Sequence, residues 1–252
     1  MAGTSENTAQ VMTENMEVAY PGEASPDRSG SPFVITREQM LVAHKILKRI
    51  FDFLFSSVLI FFSIPLFILI GIAIKLTSKG PVFFRQLRVG QDGRTFQIWK
   101  FRTMVVEDSK REHQQFVQGL LKDEENERSE ELLKEYLSYL DKRITPIGNF
   151  LRASSLDELP QLWNIFLGDM SFVGPRPHPV YEVDEYKEWY RRRLHVKPGL
   201  TGWSKINLRL TPKNYEEAIL FDLWYVDHWT FPLDIRIILL TIPFVLSMKD
   251  AH

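Results

Sequence analysis

Residues 151–177, LRASSLDELPQLWNIFLGDMSFVGPRP, carry the densest pattern in the chain, and their reading decides the fold. With a helix start near Ser155 and a step of 100° per residue, Leu156, Leu159, Leu162, Trp163 and Phe166 fall on one face. Asp157, Glu158, Gln161 and Asn164 fall on the opposite face. The stretch reads as a loop, a short amphipathic helix anchored in a core by its apolar face, and a polar loop ending in Gly174-Pro175-Arg176-Pro177. Two adjacent carboxylates open the helix, with Arg152 before them and Asp169 and Arg176 after, a set suited to divalent-metal and phosphate chemistry. The same residues admit a plainer reading. Ser155 and Glu158 have the spacing of a capping box, and the helix dipole favours acids in a first turn. Pro160 is tolerated only because it lies near the helix start. From these residues alone both readings stay open.

Outward from this stretch, 252 residues leave room for one sizeable domain with appendages. The 31 basic and 32 acidic residues nearly cancel, so no global field calls for nucleic acid. With no cysteine the chain has neither disulfides nor thiolate metal sites. Residues 1–36 are expected to be a disordered tail, rich in Ser, Thr, Glu, Gly and Pro up to residue 32. No apolar core follows a short basic start, which argues against a secretory signal.

Residues 37–79 form the membrane segment. Lys45, Lys48 and Arg49 introduce an apolar part, 53–74, whose 22 uncharged residues exceed the roughly 20 that span a bilayer. Lys75, Lys79, Arg85 and Arg88 follow it, so basic flanks on both sides give no orientation for a crossing helix. Pro65, with Ser63 two residues earlier, predicts a kink at which a hydroxyl satisfies a freed carbonyl. Re-entry on one face and simple spanning both fit these residues.

The remainder, 80–252, reads as the catalytic body. Short strands are expected at 82–84 and 95–99, joined by a turn at 90–93. Arg85, Arg88, Arg94, Lys100 and Arg102 make this region basic, for anionic headgroups, for phosphate in a site, or for both. Residues 105–143 form a charged, helix-favouring insert whose carboxylates and His113 read as a solvated surface. Residues 181–195 are helix-like, and 197–203 form a turn-rich loop whose glycines let backbone amides approach an anion. Trp203 there either packs or stacks on a base. Residues 214–227 form a helix carrying Asp222, read either as a surface acid or as a site carboxylate. Residues 230–248, broken by Pro243, suit an interfacial amphipathic helix.

Six separated motifs, in order, now matter together: Lys48-Arg49-Ile50-Phe51-Asp52, the loop 83–93, Lys100-Phe101-Arg102-Thr103-Met104, 155–161, 168–177 and 198–203. Over residues 45–248 the chain resembles the bacterial sugar transferases, the monotopic polyprenyl-phosphate phosphoglycosyl transferases. The resemblance implies transfer of a sugar-1-phosphate from a nucleotide diphosphate sugar, usually a UDP-sugar, to polyprenyl phosphate. It places this at the cytoplasmic face of the inner membrane, at the start of surface-glycan assembly. Asp157 matches the catalytic aspartate and Glu158 its metal-binding partner, with Mg²⁺ as cofactor. A two-step reaction is implied, through a phosphosugar on Asp157. Arg152, Arg176 and Lys100, with Arg102 and Arg85, are candidates for phosphate binding, and Asp169 and Asp222 for further metal ligation. The implied fold is α+β: a compact membrane-associated domain with a re-entrant kinked helix and interfacial helices.

Two departures from the family pattern stand out. The adjacent Ser-Pro typical of the kink is Ser63-Ile64-Pro65 here, and Lys205 and Leu208 replace the usual residue types after Thr201-Gly202-Trp203. The insert at 105–143 is either a surface for a homodimer or a cover over the site. A non-catalytic membrane adaptor, and direct single-step transfer with Asp157 as base or metal ligand, are the alternative readings.

Overall fold

A computed structural model describes residues 37–105, 138–139, 142–208 and 215–246. The tail expected at 1–36 (with His113 and most of the insert at 105–143, and the last residues of the 230–248 segment) lies outside them. The apolar run forms helix α1 (Arg37–Thr77), 41 residues that continue through Pro65. Its part Val42–Thr77 is long and apolar enough to cross a membrane by length and composition. Phe61, Phe62, Leu69 and Leu76 are 68%, 74%, 68% and 82% exposed, an apolar band without protein cover. Ser56 and Ser57 bond back to the Phe53 carbonyl. The Ser63 hydroxyl, expected to satisfy a carbonyl freed by Pro65, makes no hydrogen bond among the described residues.

The polar residues of α1 fasten it to the rest of the fold. Two strands, β1 (Phe83–Val89) and β2 (Thr95–Phe101), form an antiparallel hairpin in which Phe83 pairs with Phe101 and Val89 with Thr95. Both are longer than expected from sequence. Helix α2 (Pro146–Ala153) follows, capped by Thr145, whose hydroxyl accepts from the Gly148 amide at 3.0 Å. Helix α3 (Gln161–Leu167) leads into β3 (Ser171–Val173), which pairs in parallel with β4 (Gly199–Thr201). Helix α4 (Val180–Asp184) and a 3₁₀ segment (Glu188–His195) fill the crossover between them. Helices α5 (Trp203–Asn207), α6 (Tyr215–His228) and α7 (Phe231–Leu246) close the described chain. The mixed α and β content agrees with the α+β expectation.

α1 docks at two places. Near its start, Arg49 donates to the Ile165 and Phe166 carbonyls, both at 2.9 Å, satisfying acceptors at the end of α3. Gly168 ends that helix at φ +92°, and a Cβ there would lie 3.1 Å from the Arg49 guanidinium. Asp52, 2% exposed, accepts from Ser171 Oγ and the Phe172 amide. Lys48 donates to the Val173 carbonyl and to Asp234 of α7. Asp234, in the segment expected to be interfacial, is therefore turned into the core. Around these bonds Phe51, Leu59 and Ile60 pack on the main core of Phe96, Ile98, Leu162, Ile165, Met170, Phe172, Val173, Tyr225 and Ile237. Nearer its end, Ile70 and Ile74 of α1 bury against Phe101 and Leu151.

The 151–177 stretch folds differently from a single helix begun at Ser155. A 3₁₀ turn (Leu156–Glu158) precedes α3, which starts only at Gln161. The capping box does not form: Ser155 makes no side-chain cap bond and takes the left-handed conformation, φ +55°. The buried residues of α3 are Gln161, Leu162, Asn164 and Ile165, whereas Trp163 is 45% exposed. Its amides face inward because Asn164 completes the free edge of β2, accepting from the Trp99 amide at 3.1 Å and donating to the Gln97 carbonyl at 2.7 Å. Trp163 and Phe166 instead stack outward, Phe166 against Phe53 of α1.

Candidate active site

The 3₁₀ turn presents Asp157 and Glu158 to a cavity of about 370 Å³. The left-handed Ser155 reverses the chain between α2 and this turn. A non-glycine residue in that conformation is uncommon and is kept where the surroundings demand it. Lys100, near the end of β2, lies 2.8 Å from Glu158 and 3.8 Å from Asp157. Lys205 of α5 approaches Glu158 from another side at 3.2 Å. Burial pushes the Asp157 carboxyl above its ordinary value, opposed by Lys100 and reinforced by the neighbouring Glu158. Burial acts on Glu158 in the same direction, but Lys100, Lys205 and Arg176 outweigh it and hold that carboxyl well below the usual range. The pair thus divides into a firmly ionised Glu158 and a more basic Asp157.

Arg176 enters the cavity from the loop Gly174-Pro175-Arg176-Pro177, which is fixed entirely through its backbone. Gly174 N donates to the Thr201 carbonyl, and Gly199 N to the Pro175 carbonyl. A Cβ on Gly174 would come within 2.2 Å of the Lys197 carbonyl oxygen, so the approach of this loop to the residues before β4 requires glycine. Arg193 donates to the Arg176 carbonyl at 3.1 Å and Arg88 to the Pro177 carbonyl at 2.9 Å. Two arginines therefore grip consecutive carbonyls while the Arg176 side chain stays exposed. Burial and the nearby Arg176 lower the Arg88 pKa to about 10, which leaves it charged at neutral pH.

Behind this loop lies a buried polar network. Arg193 is paired with Asp222 at 2.5 Å, and Ser204 donates to the other oxygen of Asp222 at 2.6 Å. Burial and Arg193 push His178 down to about 4, so at neutral pH it meets Glu182 at 2.7 Å as a hydrogen-bond donor, not as an ion-pair partner. Tyr215 donates to the same carboxylate at 2.9 Å.

Of the residues singled out from the sequence, Asp157, Glu158, Lys100, Arg152, Arg176 and Asp222 line one cavity. Three others are placed elsewhere. Arg102 is buried with its guanidinium bonded to Ser78 and the Lys79 carbonyl, holding the chain just after α1. Arg85 lies 3.8 Å above the Trp99 ring on the hairpin. Asp169, at the end of α3, is bonded to Asn164. Among the described residues no three His, Cys, Asp or Glu side chains gather as a metal site. Asp222 does not join Glu158 because Arg193 and Ser204 occupy it.

The sequence reading gave no site role to Arg193, His178 or Gln161, and named Arg88 only within the basic set for headgroups or phosphate; all four line the cavity. In the run Arg191-Arg192-Arg193 nothing distinguishes the inward residue from its neighbours, since 3₁₀ geometry decides which one turns in. Lys205 and Leu208, read as departures, line the same wall. Trp203 packs, stacked on Trp224 with ring centroids 4.9 Å apart.

Comparison with known proteins adds a decisive match. The profile of the bacterial sugar transferases covers residues 43–248, most of the chain. The chain belongs to the bacterial sugar transferase family. It is 38% identical over 206 residues to the UDP-glucose:undecaprenyl-phosphate glucose-1-phosphate transferase of Escherichia coli, an alignment covering 79% of this chain and 40% of that protein. The protein of the same description from Xanthomonas campestris is 42% identical over 195 residues, 75% of this chain and 36% of its own. The chain thus spans about two fifths of the length of these relatives. The uncharacterized sugar transferase EpsL of Bacillus subtilis is 41% identical over 209 residues, and there the match covers 82% of this chain and 91% of that protein. The matched region takes in α1 from residue 43 onward together with every element that lines the cavity, so the long apolar helix and the candidate site both lie within the shared part.

Proposed function

We propose that this sugar transferase moves a sugar-1-phosphate from a UDP-sugar to polyprenyl phosphate through a phosphosugar held on Asp157. The observation that carries the reading is the open carboxylate pair. Asp157 is half-buried and raised in pKa, and among the described residues Lys100, at 3.8 Å, is the only cation it touches; it faces a cavity that also holds Arg152 and Arg176, neither paired with a described residue. Such a carboxylate is a competent nucleophile, and guanidinium forks match phosphate oxygens. In the first step an Asp157 oxygen bonds to the sugar-bearing phosphorus. The bond from that phosphorus to the UMP oxygen breaks, and UMP leaves with the electron pair. In the second step an oxygen of the lipid phosphate bonds to the same phosphorus, and Asp157 leaves as carboxylate. The similar proteins named as undecaprenyl-phosphate glucose-1-phosphate transferases support this donor and acceptor class.

Mg²⁺ fits the pair in the simple form that ion adopts, one or two carboxylates completed by substrate phosphates. Glu158 would hold it, with Asp157 adjacent. Bound there, the ion would neutralise diphosphate charge. Lys100 and Lys205 supply fixed positive charge on the same carboxylate.

The reading places α1 as a re-entrant segment rather than a crossing one, at the cytoplasmic face of the inner membrane. Support comes from the two docking places: Lys48, Arg49 and Asp52 before the exposed apolar band, and Ile70 and Ile74 after much of it, all attach to the same body. A helix crossing a hydrocarbon core of about 30 Å would carry its far end away from the body that holds its near end.

The test is intact mass of the nanodisc-held protein with Mg²⁺ and a panel of UDP-sugars, without lipid acceptor. A sugar-phosphate adduct, absent in Asp157→Asn, is expected. Turnover that appears only with polyprenyl phosphate, with no adduct under any donor, would replace this scheme by direct transfer.

A further inference from the structure

We infer that Gln161 is a catalytic residue of this transfer, its side-chain amide donating to the phosphoryl group as it moves onto and off Asp157. The inference rests on the function proposed above. Gln161 is 3% exposed and lines the same cavity as Asp157 and Glu158, yet its Nε2 has no hydrogen-bond partner among the described residues. Buried side-chain polar groups are almost always bonded, so an open one calls for a reason.

Asn164, three residues further along α3, supplies the comparison. It is buried to the same degree, 1% exposed, and both ends of its amide are used on β2. A structural amide on this helix face looks like Asn164, and Gln161 does not. Arg88, Arg102 and Arg193 also leave a buried Nε unpartnered, but their terminal nitrogens are bonded to carbonyls. Arg152 is the second side chain in the cavity with a buried unpartnered terminal nitrogen, Nη1. Arg152 lies five residues before Asp157 and Gln161 four residues after it, so one buried, unpartnered donor flanks the nucleophile on each side in the chain.

The chemistry uses donors in that position. While Asp157 bonds to phosphorus and UMP departs with its electron pair, the non-bridging oxygens keep their negative charge, and no proton needs to move. A preset amide N–H and a guanidinium N–H stabilise those oxygens without reorganising in the transition state. The same donors serve the return step, when the lipid phosphate attacks and the Asp157 oxygen leaves.

The test compares wild type, Gln161→Met and Gln161→Glu, each full-length in nanodiscs, for kcat, donor KM and thermal midpoint. Gln161→Met keeps the length of the side chain and removes the donor. Its kcat should fall about 10²–10³-fold, the usual loss for one oxyanion donor, while donor KM changes less. Its thermal midpoint should hold or rise, because an unsatisfied buried amide has been replaced by an apolar group. Gln161→Glu, nearly isosteric but an acceptor and an anion, should lose at least as much activity, and it carries the test alone if the methionine variant fails to fold. Wild-type kcat in either variant overturns the inference, and so does a midpoint that falls in step with kcat in Gln161→Met, the pattern of a structural amide. Absence of transfer by the wild type under every donor overturns the proposed function and this inference together; loss confined to the variants supports both.

Discussion

Asp234 and Glu158 are both carboxylates gripped by lysine, and the surroundings of each show how differently the same pair is used. Asp234 is 2% exposed and takes Lys48 at 2.5 Å, Tyr225 at 2.6 Å and Trp229 at 3.1 Å, donors from α1, α6 and the chain before α7. Three donors and near-complete burial leave a ligand no access to it. Glu158 also takes two ammonium groups, but its neighbour Asp157 has Lys100 only at 3.8 Å, and a cavity lies beyond it. Saturation, more than residue type, separates the acid that holds the fold from the acid that is available for chemistry. Asn164 and Gln161 repeat the lesson with amides.

The largest expected effect tests the closed cluster. Asp234→Ala leaves the half-buried Lys48 without this counter-charge and removes the acceptor of Tyr225 and Trp229, which together cost about 3–5 kcal/mol of stability. Pairing it with Lys48→Met should recover only part of that loss, since the uncompensated ammonium is gone but Tyr225 and Trp229 still lack Asp234 as acceptor. Asp157→Asn should not lower stability, because it relieves the repulsion of two adjacent carboxylates. Denaturation midpoints in one detergent check all three. A loss in Asp157→Asn as large as in Asp234→Ala would erase the contrast. A smaller effect is expected at Lys100, which among the described residues is the one cation that touches both acids of the open pair. Lys100→Met removes the charged hydrogen bond to Glu158, so stability should fall by roughly 1.5–3 kcal/mol, less than in Asp234→Ala, and turnover should fall as the pair loses its fixed positive charge.

How far this contrast was legible in the sequence depends on the range of the interactions. The apolar run, the hairpin, the late helices and the pairing of Asp157 with Glu158 are local patterns, and each left a local mark. The capping box had the right residues at the right spacing, yet Ser155 turns left-handed and Glu158 is drawn off by Lys100 and Lys205, 58 and 47 positions away. Amphipathic counting put Trp163 inward and Asn164 outward. It failed because the free edge of β2 needed an amide and α1 offered aromatic rings outside. Arg102 looked like a phosphate ligand because its residue type suits phosphate, but the carbonyls at the end of α1 claim it. Long-range claims on a polar group leave no signature beside it in the chain.

The smallest effect, on pH, probes the division within the open pair. Asp157 must be ionised to attack. Burial, and then Glu158, raise its carboxyl above 3.8, so adduct formation should show an acid limb displaced upward from an ordinary aspartate. Glu158, held well below 4.5, stays ionised across that limb. The two acids also act on stability with opposite signs. The folded chain keeps the Asp157 proton above pH 3.8 where the unfolded chain has lost it, so that contribution falls as pH rises through the window. Glu158 stabilises above 4.5, and its contribution is lost only as pH falls through its depressed value. Lys205 lowers both carboxyls, so Lys205→Met should move the acid limb of adduct formation further up. Acid unfolding in that variant should begin at a higher pH. A limb that stays put while acid unfolding shifts would mean either that Lys205 acts on Glu158 alone or that the group titrating in the first step is not Asp157.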